Sequence, residues 1–244
     1  MHLLFTKSNT KSNTEYFTNF IEIPAILYIN LENRKDRKQQ ILDELKKIGA
    51  DQKYIHRIDA VYMPKNGHKG CVQSHIKALK QIKSNSSIPY ALILEDDFEL
   101  AVSSSEFNSQ ISKIISTLEK RQQQWDVIML ATAYATKEPL EGLDDIVRIR
   151  KSTTSSAYII KQEYVDTLLA CFMDCDAHMS ADKVKDPKNG FEDYALDQQW
   201  AKLQKRDNWF GFANDISKQR VVWSSIQTGV HENIRLTSDQ NTTK

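Results

Sequence analysis

Residues 91–94 read Ala-Leu-Ile-Leu and run without a break into Glu95, Asp96 and Asp97. The apolar run has the length of a strand but lacks the polar alternation of a strand with one wet face. A segment of this kind needs cover on both faces, which a sheet sandwiched between helices supplies. Strand and helix patterns alternate along the rest of the chain, so the sequence predicts an α/β fold.

Ile26–Asn30, in "AILYINLENR", reads as a first buried strand. Ile41, Leu42, Leu45 and Ile48 then recur at helical spacing, with Asp36 placed to favour the helix start and Gly49 to terminate it. "YIHRIDAV" predicts a second strand, and Val72, Ile76, Leu79 and Ile82 line one face of a second helix. After the acidic turn, Phe107, Ile111, Ile114, Ile115 and Leu118 mark an amphipathic helix, and "WDVIML" a further buried strand. A loop follows, then strands at "IVRIR" and "SSAYII", a helix at "KQEYVDTLLACF" and a polar loop over residues 174–190. "EDYALDQQWAKLQKR" reads as a helix and "RVVWSSI" as a late strand. Residues 1–20, with "TKSN" twice, are expected to be a flexible lead-in, residues 21–235 a single domain and residues 236–244 a disordered tail. Within the domain, about 21–130 and about 131–235 are expected to form two halves.

The bulk numbers exclude several classes. A chain of 244 residues with 40% hydrophobic and 27% charged residues has a soluble globular composition. Its net charge of +1 provides no field for nucleic acid or an anionic membrane. No apolar stretch is long enough to span a bilayer, and the N-terminal run is too short for a signal peptide. With Cys71, Cys171 and Cys175 unpaired in number, a reducing, cytoplasmic location is the expectation. Cys171 and Cys175, near Asp176 and His178, lack a second cysteine pair for a zinc site. Glycine is scarce, and neither GxGxxG nor a Walker loop occurs, so a glycine nest is not the main holder of any nucleotide phosphates.

Three like charges at one point need positive charge beside them. In α/β sheets the carboxyl ends of strands are where ligands bind, and hard carboxylate oxygens there suit Mg2+ or Mn2+ shared with substrate phosphates. The competing reading is that the acids cap the next segment or pair with Lys or Arg. Arg34, Arg37 and Lys77 are placed to offset diphosphate charge, although a solvated helix face explains Arg37 as well.

"LILEDDFEL" resembles the EDD motif of glycosyltransferase family 25, which contains lipooligosaccharide and procollagen galactosyltransferases. "YINLENRKDR" resembles the family's opening at Asn30, Leu31, Asp36 and Arg37, and "GCVQSHIKAL" its next segment at Gly70, Cys71, Ser74 and His75. "WDVIML" and "SSAYII" follow in the family's order, which makes five stretches, and the resemblance covers roughly residues 24–230. Asn33 stands where the family's usual arginine would be, the neighbourhood of Asp193 and Leu196 matches poorly the family's late DxxL, and Ser224–Ile226 reads "SSI" where the family has "SDI". The resemblance implies a GT-A type nucleotide-sugar-binding fold: a mixed, mostly parallel sheet flanked by helices. It also implies a UDP-sugar donor (galactose or glucose), a glycan or protein acceptor, and manganese (or magnesium) at the acidic turn. On this reading Asp97 ligates the metal directly, Asp96 lies nearer the donor ribose or sugar, and Glu95 completes the motif. His75 has a donor-phosphate or orienting role, against simple capping beside Ser74. His231 would be a third metal ligand, although a lone histidine is more often structural.

The family is regarded as inverting, so a base must take the acceptor's proton. Phe191-Glu192-Asp193 resembles the xED base motif of GT-A enzymes, and Asp193 and Asp197 share a face if the stretch is helical. Asp193 is the first candidate, with Asp197 and Glu192 behind it; an acid-rich helix start competes. Trp125, Trp200, Trp209 and Trp223 read as core or pocket walls. Rival functions are a catalytically silent glycosyltransferase-like binding protein and a metal-dependent phosphohydrolase, for which the six histidines are few.

Overall fold

The computed structural model of the chain describes residues 23–179 and 192–221. The elements are β1 (Ile26–Asn30), α1 (Lys35–Lys47), β2 (Ile55–Asp59), α2 (Gly67–Lys83), β3 (Tyr90–Glu95), β4 (Phe98–Leu100), α3 (Ser104–Lys120), β5 (Val127–Met129), β6 (Ala133–Leu140), β7 (Leu143–Thr153), β8 (Ala157–Lys161), α4 (Val165–His178), α5 (Leu196–Gln199), α6 (Ala201–Arg206), β9 (Trp209–Phe212) and β10 (Ser217–Gln219). Eight strands form one sheet in the order β2-β1-β3-β8-β5-β9-β7-β6, and β4 pairs with β10 in a second. Only β7 and β8 run against the other strands of the large sheet, which is therefore mixed and mostly parallel, as expected.

The Ala91–Leu94 run is accounted for by two cores. Side chains alternate across a strand, so Ala91 and Ile93 enter one apolar layer with Val72, Leu79 and Ile82 of α2 and Leu168 and Phe172 of α4. Leu92 and Leu94 enter the opposite layer with Ile41 and Leu45 of α1 and Phe107, Ile111 and Leu118 of α3. All four strand residues are 0% exposed. Full burial of each large aliphatic side chain contributes about 1.5–3 kcal/mol, which fixes β3 in the middle of the sheet and its acids at the rim.

Several local expectations are revised. Residues 133–140, read as a loop, form β6; it is an edge strand, half exposed and carrying Lys137, Glu138 and Pro139, so it has no apolar run to announce it. β9 was also missed: "WFGF" is too short for a periodic signal, yet all four residues are buried. Of the polar loop expected over residues 174–190, residues 174–178 belong to α4, and residues 180–190 lie outside the described residues. The helix read through residues 192–206 breaks at Ala195 (φ −57, ψ 141) into a 3-10 turn, Glu192–Tyr194, and the short helices α5 and α6. Asp36 lies in the first turn of α1, but the capping position is Arg34. Gly49 terminates that helix with φ +74, a conformation glycine adopts without a Cβ clash. The late strand expected at "RVVWSSI" lies largely outside the described residues.

The sheet register positions the site. β1 and β2 are parallel with Asn30 opposite Asp59, and β1 and β3 are parallel with Ile29 opposite Glu95. Asn30, Asp59 and Glu95 thus end three neighbouring strands at one edge.

Candidate active site

The three acids at the end of β3 meet three different environments. Glu95 accepts hydrogen bonds from Ser155 Oγ and lies 3.2 Å from His75 Nε2. Burial raises its pKa, but the His75 hydrogen bond and charge, with Ser155 and Arg37, outweigh burial and hold the carboxyl below its ordinary value. Asp96 accepts from Asn30 Nδ2 at 2.8 Å and from Arg37 Nη1 at 2.9 Å. Burial still pushes its pKa above the ordinary value. Asp97 is buried, accepts from Gln219 Nε2 at 3.0 Å, and has Arg37 Nη1 only at 3.7 Å. Its Oδ1 is buried without a hydrogen-bond partner among the described residues. Burial, with Glu95 and Asp96 adding negative charge, pushes the Asp97 carboxyl up to about 7. The positive charge that the acidic run demands is therefore partly in the protein: Arg37 serves Asp96, and Asp97 is served least.

Helix α2 presents the whole "GCVQSH" stretch to this edge. A Cβ on Gly70 would lie 2.6 Å from the Val61 carbonyl, so only glycine permits the approach. Ser74 Oγ accepts from Val61 N–H at 2.8 Å and donates to the Gly70 carbonyl at 2.6 Å, tying the β2–α2 connection to the helix. His75, one residue on, is fully buried between Glu95 and the Tyr158 hydroxyl, which lies 3.0 Å from its Nδ1. Tyr158 is the aromatic of the "SSAYII" strand. Ser74 Oγ is thus engaged at this junction, and His75 bridges Tyr158 and Glu95.

A second acid arrives from α5. Asp197, half-buried, accepts from Thr154 N–H at 3.0 Å. Burial raises its pKa, against the Thr154 hydrogen bond, and Glu95 raises it further. Thr154 holds φ +69, an uncommon conformation for a β-branched residue, and its Oγ1 donates to Gln219 Oε1 at 3.3 Å. Gln219 also donates to Asp97, so Asp97, Gln219, Thr154 and Asp197 form one connected chain. Gln219 and Thr154 were not foreseen, as neither lies in a recognisable motif. Ser155 sits in "SSAYII", which is where a signal for it existed.

The remaining candidates are more scattered. Asp193 is exposed, and its carbonyl accepts from Gln199 Nε2; Glu192 opens the same 3-10 turn. The break at Ala195 removes the shared helical face that paired Asp193 with Asp197. Arg34 pairs with Asp36 at 2.7 Å. Lys77 is exposed and donates to the Asp59 carbonyl at the end of β2. Leu31 is half-buried just beyond β1, its carbonyl accepting from Arg34 N–H. Trp125, Trp200 and Trp209 are core residues. His231, Trp223 and the Ser224–Ile226 stretch lie outside the described residues. Among the described residues no helix is long and apolar enough to cross a membrane.

The profile of glycosyltransferase family 25 (LPS biosynthesis protein) matches residues 23–184. No curated protein gives a significant match. Solved structures similar to this chain include A197 from STIV, 10% identical over 77% of this chain and 80% of that one, with a TM-score of 0.44. A glycosyltransferase involved in glycosylation of the major capsid of PBCV-1 is 8% identical over 77% of this chain and 92% of that one (TM-score 0.41). UDP-glucose pyrophosphorylase complexed with UDP-glucose is 11% identical over 77% and 72% (TM-score 0.41).

Proposed function

The chain belongs to glycosyltransferase family 25, and from that premise we propose that it moves a hexose, galactose or glucose, from a UDP-sugar to an acceptor hydroxyl with inversion. The acceptor class is a glycan or a hydroxylysine-type protein side chain. The proposed framework is of GT-A type, with the donor at the edge where β1, β2 and β3 end. The observation that carries the reading is the buried Asp97 Oδ1, which no group of the protein satisfies among the described residues. A carboxylate oxygen in that position, with Asp96 adjacent, fits a hard divalent cation such as Mn2+ or Mg2+. When bound, such a cation would neutralise charge developing on the UDP leaving group.

The protein's own groups have separate tasks in this proposal. Asn30 and Arg37 hold Asp96 in one orientation toward the donor. His75 and Ser155 keep Glu95 fixed and ionised behind the turn. Asp197 takes the acceptor's proton; burial holds its carboxyl above the ordinary value, which makes it a stronger base than a solvated aspartate. Thr154 N–H fixes Asp197 Oδ2. Asp193, exposed and on the far side of the Ala195 break, is a weaker candidate than its sequence motif implied.

The test is UDP release from UDP-glucose, UDP-galactose, UDP-GlcNAc and UDP-xylose, with manganese and then with chelator. One donor hydrolysed only with manganese, and not by Asp97→Ala, supports the proposal. Silence with every donor, together with no UDP binding, overturns it in favour of a silent binding protein.

A further inference from the structure

Beside the acidic turn lies a second ligand set of different chemistry. Cys71 Sγ, a ring nitrogen of His75 and a carboxylate oxygen of Glu95 all lie within 4.8 Å of one another. Cys71 and His75 are four residues apart in α2, hence on one helical face, and Glu95 meets them from the end of β3.

We propose that Cys71, His75 and Glu95 form a zinc-binding site, separate from the hard-oxygen site at Asp97. Thiolate, imidazole and carboxylate together make a borderline-soft ligand set, which favours Zn2+ over Mg2+ or Mn2+. Two ligand atoms each about 2.1 Å from a tetrahedral ion stand about 3.4 Å apart. His75 Nε2 and Glu95 Oε1, at 3.2 Å, already have that separation. Cys71 Sγ lies within 4.8 Å of both. Zinc-ligating histidines have their second ring nitrogen fixed by a hydrogen bond, and His75 Nδ1 lies 3.0 Å from Tyr158 Oη. That bond aims Nε2 at Glu95 and Cys71. His75 is fully buried, while Cys71 and Glu95 retain partial exposure. Three protein ligands leave a fourth position for water.

The experiment uses the full chain and the metals alone. Titration with Co2+ as a spectroscopic substitute for zinc is expected to give a thiolate-to-cobalt absorption band that one equivalent of Zn2+ removes. Cys71→Ser, a near-isosteric change, should abolish the band, and Tyr158→Phe should weaken binding about 10-fold. Cys171→Ser/Cys175→Ser and Asp97→Ala should both retain the band. No band in the parent protein, a band that survives Cys71→Ser, or one lost with Cys171 and Cys175 would each overturn the proposal. Manganese-dependent donor turnover is read separately and has the opposite dependence, lost in Asp97→Ala, so failure of one assignment leaves the other standing.

Discussion

Arg37 and Asp96 form a buried ion pair, Nη1 to Oδ1 at 2.9 Å, with side chains 7% and 10% exposed. It joins the first turn of α1 to the end of β3, and with the Asn30 amide it satisfies both Asp96 oxygens. Removing one partner of such a pair leaves a buried charge unmatched and costs about 3–5 kcal/mol.

Arg37→Met is therefore expected to lower unfolding stability by that amount, read from the denaturant midpoint. Arg37→Met/Asp96→Asn should recover at least about 1 kcal/mol of the loss, since coupled neighbours are not additive. A single variant with an unchanged midpoint would show that the pair contributes nothing.

Asp97 predicts a pH dependence of the opposite sign to the usual carboxylate. Its native pKa of about 7 lies above the ordinary 3.8. Between these values the unfolded chain gives up a proton that the native state keeps, so this group's contribution falls as pH rises and its full penalty is present above about 7. In metal-free buffer Asp97→Asn should be more stable than the parent at pH 8 by about 4 kcal/mol and equal to it near pH 4. Melting curves at the two pH values check this; a gap that does not change with pH would refute the assignment.

Two of the candidate bases, Asp197 and Asp193, are separable by single substitutions. Asp197→Asn keeps an oxygen for Thr154 N–H, so it should retain UDP binding while losing transfer about 10²–10⁴-fold. Asp193→Asn, at an exposed position, should leave transfer near the parent's rate. Equal losses in both, or a loss in Asp193→Asn alone, would move the base away from Asp197.

Gly70→Ala tests the β2–α2 junction. Its Cβ would meet the Val61 carbonyl at 2.6 Å, a backbone atom that cannot rotate aside. The expected cost is about 1–3 kcal/mol, or roughly 2–10 °C in Tm for a chain of this size. Because Ser74 anchors the same junction, a loss of His75 placement should follow, seen as weaker Co2+ binding at Cys71. An unaltered Tm would mean that the junction yields at no cost.

The amino-acid order by itself determined the elements that carry strong local periodicity and the place where chemistry gathers. Ala91–Leu94 must be covered on both faces, and the acids that follow must then emerge at a sheet edge, because side-chain direction in a strand is a local property. The helix faces through Ile41, Val72 and Phe107 are legible for the same reason. β6 and β9 were not, since an edge strand needs no apolar run and a four-residue strand shows no period. What the three acids do was decided only by the tertiary structure. Arg37 reaches Asp96 across 59 residues and Gln219 reaches Asp97 across 122. A break at one residue, Ala195, separated Asp193 from Asp197. Hydrogen bonds and burial set which carboxylate is neutralised and which is left with an open oxygen. These depend on distances between segments far apart in the chain, which no local pattern encodes.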